Sequence, residues 1–197
     1  MSQMRRRELL KSSASALLAA TMAPAGRLAR AETPGHRSID LDKLTVLHSD
    51  EGVLLSYSVR FDLPRDLEQA LSKGIAVVFV AEANVFRKRW YWTDQPKGEI
   101  TRRWRLAYQP LTRRWKLNLD GLSRHYTNLN EALDALRRTD RWRIADAIPG
   151  AEDQECYVDF SFRLDTDELP RPLQIGLGGL SDWNLDVQRR AWVPALR

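Results

Sequence analysis

The hydrophobic positions of this chain recur mostly with a period of two, as in β-strands with one face in a core and one in water. Gln154–Leu164 (QECYVDFSFRL) alternates most regularly, and Val53–Phe61 shows the same pattern. Ile75–Ala81 (IAVVFVA) is apolar on both phases, which predicts a central strand covered on both sides. We expect this strand to continue towards Trp92, where Thr93–Gly98 predicts a turn.

Two further strands are expected at Glu99–Tyr108 and Thr112–Leu119, joined by a turn at residues 109–111. Trp104 and Trp115 fall in phase with apolar neighbours, whereas the alternate positions are basic. The pattern predicts a hairpin with an apolar inner face and a basic outer face. The basic phase contains Arg103, Arg105, Arg114 and Lys116.

Two segments have helical spacing instead. Leu63–Lys73 places apolar residues at i, i+4, i+7 and i+8, and Gly74 follows as a stop signal. Asn128–Arg138 is the second, where Asn128 can cap the helix and Glu131 completes a capping-box-like pair. Both helices are short and lie between strands.

These elements predict a mainly β fold, an antiparallel two-sheet β-sandwich of the immunoglobulin-like kind, with two short helices on connections. A single domain is expected over residues 43–197, after a flexible lead at residues 32–42. The remaining strands are expected at Lys43–His48, Trp142–Ala147, Leu173–Gly176 and Asp186–Val193.

Residues 1–31 have the organisation of a cleavable export signal. A basic start leads into a small, mildly apolar run, and Ala29 and Ala31 supply the small-x-small pattern of a cleavage site after Ala31. This predicts a periplasmic protein. No later segment approaches about 20 consecutive apolar residues, so no transmembrane span is expected in the mature chain.

The start of the signal resembles the twin-arginine type, in which two arginines precede a hydrophobic pair and a lysine. Arg5 departs from that pattern, since Ser or Thr is usual there. An ordinary secretory signal with a basic start is the alternative, and the export route stays open. The matching residues are Arg6, Arg7, Leu9, Leu10 and Lys11.

Cleavage changes the charge balance. The whole chain has 31 Lys and Arg against 26 Asp and Glu, but six of the bases and one acid lie in residues 1–31. The mature chain is left with equal numbers of each. Because a nucleic-acid-binding domain normally keeps a basic excess, no nucleic-acid partner is expected.

Candidate catalytic chemistry is sparse. Cys156 is the only cysteine and falls in phase with apolar neighbours, which predicts a buried core thiol. His36, His48 and His125 have no zinc-ligand spacing, and residues 176–179 (GLGG) lack the pattern of a phosphate loop. We therefore predict no catalytic residue, metal site or cofactor.

Residues 87–119 carry local charge in this otherwise balanced chain, with ten Lys and Arg against two acids. One hypothesis is a platform for an anionic partner. The alternative is a solvated sheet face whose charge is offset by the seven acids of residues 152–168. The candidate binding residues are Arg87, Arg89, Arg103, Arg105, Arg114 and Lys116.

Several segments are similar to a bacterial family known as domain of unknown function family 4390. They are RKRWYWTDQ (87–95), RRWRLAYQPLTRRWKL (102–117), NEALDALRR (130–138) and PLQIGLGGLSDWNLD (172–186). The resemblance implies a small exported envelope protein of Gram-negative bacteria with no assigned activity or functional residues. It also implies the outer domain of a membrane sensor kinase as a partner.

These observations favour a non-enzymatic periplasmic binding module whose partner is that kinase domain, another envelope protein or an anionic envelope component. Two alternatives stay open: a periplasmic enzyme with an unrecognised active site, and a structural envelope protein. Twin-arginine export would favour the enzyme, since that route often serves proteins that fold before crossing.

Overall fold

The alternating segments form nine strands in a computed structural model that describes residues 39–150, 155–169 and 185–196. All of these elements belong to one compact unit, residues 33–197. In chain order they are β1 (Asp40–Ser49), β2 (Gly52–Arg60), α1 (Arg65–Ser72), β3 (Val77–Arg87), β4 (Gln95–Gln109), β5 (Arg114–Leu119), β6 (Leu122–Tyr126), α2 (Leu129–Arg137), β7 (Arg138–Ala145), β8 (Cys156–Asp165) and β9 (Asp186–Trp192).

The strands form two antiparallel sheets, which confirms the predicted sandwich. One sheet has three strands in the order β1-β2-β7, and the other has six in the order β6-β5-β4-β3-β8-β9. The chain crosses to the large sheet through α1 and returns to the small sheet through α2. The central strand predicted from IAVVFVA is β3, which is paired on both sides.

The core lies between the sheets and is centred on aromatic rings. Tyr57 of β2 contacts Phe160 of β8 with a ring-centroid distance of 4.7 Å, and Phe79 of β3 stacks on Phe162 of β8 at 6.0 Å. All four are at most 2 % exposed. Each buried ring contributes about 1.5–3 kcal/mol of transfer free energy, so this inner layer supplies much of the stability.

Both predicted helices are present, and their ends lie within two residues of the predicted bounds. The amide of Glu131 donates to the Asn128 side chain over 2.8 Å, and the Glu131 carboxylate accepts from the backbone N–H and hydroxyl of Thr127. That arrangement satisfies amides at the start of α2. At the end of α1, Gly74 has a φ of +86°, a conformation that favours glycine.

Some predicted boundaries need correction. β1 begins at Asp40, so residues 40–42 of the predicted flexible lead belong to a strand paired with β2. β7 begins at Arg138 rather than Trp142, directly after α2. The export signal, the cleavage site and the strand predicted at residues 173–176 lie outside the described residues.

The turn predicted at residues 93–98 is displaced, because β3 ends at Arg87 and β4 begins at Gln95. Pro96 pairs beside a register shift in β3, where a strand tolerates proline. A Cβ on Gly98 would lie 2.6 Å from the backbone oxygen of Ile144 in β7, so glycine permits this close approach. Pro96 and Gly98, which predicted a turn, therefore lie within β4.

β6 was not predicted. Its side chains are mostly exposed at the edge of the large sheet, so no apolar alternation marks it. Asp120 and Gly121 before it have φ values of +49° and +87°, as in a tight hairpin turn. This Asp-Gly pair is the sequence signal that would have indicated the hairpin.

Candidate functional site

The predicted basic phase lies on the outer face of the β4–β5 hairpin. Trp104 and Trp115 point into the core and are 2 % and 9 % exposed. Arg103, Arg105 and Arg114 are exposed on the opposite side. Lys116 shares that phase of β5 and is half-buried. The predicted division between an apolar inner and a basic outer face is therefore confirmed.

Acids at the end of β8 and just beyond it neutralise part of this face. The Arg103 guanidinium lies 2.5 Å from the Asp165 carboxylate, and that of Arg105 lies 3.1 Å from Glu168. Arg114 and Lys116 have no carboxylate partner within 4 Å in the described part of the chain. Two of the four basic side chains, Arg103 and Arg105, thus form ion pairs within the protein.

Arg87 and Arg89 lie elsewhere. Arg87 ends β3, seven residues beyond Val80, the partner of Arg103 in the ladder. Seven residues of strand span roughly 23 Å, so the six candidate binding residues form two separate groups. Arg87 also pairs with Glu155 over 2.8 Å and donates to the carbonyl of Gly150.

The second group belongs to the connection between β3 and β4, residues 88–94, which we call the aromatic loop. Trp90, Tyr91 and Trp92 are 88 %, 80 % and 79 % exposed, and the rings of the first two stack at 5.3 Å. Sequence reasoning placed these residues in a strand, although three consecutive aromatics break the alternation. Contiguous exposed apolar side chains are a feature of interaction sites in other proteins.

Hydrogen bonds to Asp94 hold the aromatic loop in place. The Tyr157 hydroxyl donates to its carboxylate over 2.6 Å, and the amide of Arg89 donates over 3.3 Å. The Tyr157 bond is the main reason why the pKa of Asp94 is lowered and that of Tyr157 is raised. The loop is therefore anchored to β8 by a charged hydrogen bond.

A cluster of rings on the outer sheet face lies beneath this anchor. Tyr157 contacts Phe86 at 5.4 Å and the edge of Trp192 at 5.9 Å. Lys88 lies 4.1 Å above the Trp192 ring, and Arg190 lies 4.0 Å above Tyr157. These contacts connect the start of the aromatic loop to β8 and β9, and they leave its tip exposed.

The other candidate groups have structural roles. Cys156 is fully buried, as predicted, and burial raises the pKa of its thiol, which disfavours the reactive thiolate. His48 is 1 % exposed, and its Nε2 accepts from the amide of Ile148 while Nδ1 donates to the carbonyl of Pro194. Both ring nitrogens of His48 are thus occupied by backbone groups.

Within residues 39–150, 155–169 and 185–196, no three His, Cys, Asp or Glu side chains are grouped so that they could hold a metal ion. In that same part of the chain, neither helix has the length and apolar character needed to cross a membrane.

The comparisons with known proteins give a family and little more. The family model described as Domain of unknown function (DUF4390) matches residues 36–193, most of the chain. The protein therefore belongs to the DUF4390 family. Comparison with curated proteins and with solved structures gave no match.

Proposed function

We propose that this member of the DUF4390 family is a non-enzymatic binding module of the bacterial periplasm, which docks onto an envelope protein through its aromatic loop. The observation that carries this proposal is the exposure of Trp90, Tyr91 and Trp92 on a connection held by side-chain contacts. Tryptophan, tyrosine and arginine dominate the energetic centres of protein interfaces. Anchoring such residues before binding lowers the entropic cost of association.

The charges around the aromatic loop favour a partner with an acidic rim. Lys88 and Arg89 open the loop, and Lys97 follows it at the start of β4. None of their three charged side-chain groups has a carboxylate within 4 Å in the described residues. The partner we propose has an apolar depression rimmed by acids, and the outer domain of a membrane sensor kinase is our first candidate.

Periplasmic location is part of the proposal and rests on the sequence of residues 1–31. Cleavage after Ala31 would give a mature chain that begins at Glu32. Intact mass measurement of protein purified from the periplasm tests this directly. A cytoplasmic protein that retains residues 1–31 would contradict it.

Site-specific photocrosslinking in the periplasm tests the docking surface. The photoreactive residue p-benzoylphenylalanine replaces Tyr91 in one variant and Leu111 in its control. Leu111 is fully exposed and follows β4 at its far end, 15 residues along the strand from the aromatic loop. We expect one protein, identified by mass spectrometry, to be captured from position 91 and not from position 111.

The captured protein is then purified and its affinity measured for the wild type and for Trp90→Ser. Truncating an interface centre costs about 2 kcal/mol or more, which weakens binding by at least about thirtyfold. Equal affinity of the wild type and Trp90→Ser for the captured protein would show that Trp90 is not at the centre of the interface. Crosslinks only to lipid or polysaccharide would show that the partner is an anionic envelope component and not a protein.

Charge reversal on the hairpin face is a poorer test. Arg103 neutralises Asp165, whose side chain is only 7 % exposed, so reversing this charge would destabilise the fold together with any interface. The variants of the aromatic loop avoid this difficulty, because their side chains lie in water.

A further inference from the structure

A cleft opens at the side of the sandwich where the two sheets cease to cover each other. β7, the edge strand of the small sheet, contacts β4 of the large sheet, so β5 and β6 extend beyond it. The space between the β7 edge, α2 and the inner face of β5 and β6 has a volume of about 430 Å³. This volume is in the range of ligand sites, which is about 300–1,000 Å³. We call it the arginine cleft.

The large sheet and α2 supply its apolar lining. Leu122 lies at the edge with 76 % of its side chain exposed, whereas Trp104 is buried in the core. The cleft therefore runs from an exposed apolar edge to an aromatic floor. The apolar lining consists of Trp104, Leu117, Leu119, Leu122, Tyr126 and Ala135.

Basic groups outnumber acids along the same walls. Arg102, Arg124 and Arg138 line the cleft together with a single carboxylate, that of Asp140. None of the three arginines has an ion pair within 4 Å in the described part of the chain. An anion entering here would meet three guanidinium groups that have no carboxylate within 4 Å in the described residues.

Arg102 is the most unusual of the three. It lies in phase with Trp104 and thus on the inner face of β4, where it is half-buried. Its guanidinium lies 4.9 Å from the ring of Trp142 in β7, and partial burial lowers its pKa. A charge in this position costs free energy that a bound anion would recover.

We propose that the arginine cleft binds an anionic amphiphile: a single negatively charged headgroup on an unbranched apolar chain, as in a fatty acid. The headgroup contacts Arg102, with Arg124 and Arg138 beside it. The chain follows Leu119 and Leu122 along the inner face of β5 and β6. This site is separate from the aromatic loop, so the two proposals can fail independently.

Isothermal titration calorimetry with dodecanoate, below its micelle concentration, tests the site in the purified mature protein. Dodecanol is the matched ligand that keeps the chain and lacks the charge. We expect saturable binding of dodecanoate, and binding of dodecanol weaker by about tenfold or more, since a charged hydrogen bond is lost.

Two variants locate the binding. Arg102→Met removes the charge, and Ala135→Phe fills the cleft from α2, and each should weaken dodecanoate binding by about tenfold or more. Arg114→Met is the control, because it removes an exposed arginine of the outer face that does not line the cleft. It should bind as the wild type does. Circular dichroism confirms that each variant is folded.

Three results would overturn the proposal. The first is the absence of saturable dodecanoate binding to the folded wild type. The second is equal affinity for dodecanol, which would show that the negative charge of the headgroup does not contribute to binding. The third is wild-type affinity in both Arg102→Met and Ala135→Phe, which would place the ligand elsewhere. If Arg102→Met does not fold, Ala135→Phe alone decides.

Discussion

Two segments of this protein resemble each other in sequence but differ in whether their tryptophan side chains are buried. RKRWYW (87–92) and RRWRLAY (102–108) both interleave arginine with tryptophan. In the second, Trp104 is 2 % exposed and packs in the core, whereas in the first, Trp90 is 88 % exposed. The same residue types therefore build a core in one place and a surface in the other.

The difference lies in hydrogen bonding on both sides of the backbone. Residues 102–108 belong to β4, which is paired with β3 as far as Leu106 and with β5 from Trp104 onwards. Pairing fixes the alternation, so every second side chain faces the small sheet. Residues 88–94 have left the ladder, and nothing directs their rings inward. An aromatic-rich sequence predicts burial only where the backbone is held in a sheet.

The largest expected effect contrasts the two tryptophans. Trp104→Ala removes a buried ring and should lower the free energy of unfolding by about 3–5 kcal/mol. Trp90→Ala should change it by less than about 0.5 kcal/mol, because its ring is in water. Urea denaturation followed by far-ultraviolet circular dichroism measures both. Similar losses in the two variants would mean that the aromatic loop packs against the fold.

An intermediate effect is expected from the outer-face arginines. Arg103→Ala leaves the largely buried carboxylate of Asp165 without its partner and should cost about 1–2 kcal/mol, moderated because the Arg103 side chain is 55 % exposed. Arg114→Ala, which breaks no ion pair in the described residues, should be neutral within about 0.5 kcal/mol. The same denaturation assay applies, and equal stabilities would show that the pair contributes nothing.

The smallest effect concerns the anchor of the aromatic loop. Tyr157→Phe removes the hydrogen bond that lowers the pKa of Asp94, so this pKa should rise towards its ordinary value of 3.8. Because the pKa is lowered in the folded state, the bond stabilises the protein above about pH 3.8. That contribution is lost as the pH falls through the lowered pKa.

Carbon-detected NMR titration of the aspartate carboxyl groups measures this shift. The matched control is Tyr91→Phe, which keeps the anchor and alters a hydroxyl at the exposed tip. An unchanged pKa of Asp94 in Tyr157→Phe would mean that another group holds the aromatic loop in place.

Much of the architecture follows from local patterns. The alternation in Gln154–Leu164 predicted β8, and capping chemistry at Asn128 predicted α2, because in each case neighbours in sequence determine the structure. β6 and the aromatic loop were not predicted, because the local pattern that identifies buried segments is absent from them. Their side chains are exposed, and neither segment has the apolar period that burial imposes.

The candidate site was predictable only in part. The outer position of Arg103 and Arg105 follows from their phase, but their neutralisation depends on acids more than 60 residues away in sequence. The position of Arg102 on the inner face was also available from its phase with Trp104. The cleft that Arg102 lines could not be predicted from the sequence, because it is formed by the packing of α2 and the edge of β7 around this residue.

Local sequence patterns were sufficient to predict the fold class, the burial of Cys156, the two faces of the β4–β5 hairpin and the family. Each depends on periodicity or motif, which a strand or helix expresses locally. The folded arrangement was needed to show which arginines are paired, which aromatic side chains are exposed and where the two sheets separate. Those properties depend on contacts between distant segments: the ion pairs from β4 to the end of β8, the pairing that ends before the aromatic loop, and the extent to which the small sheet covers the large one.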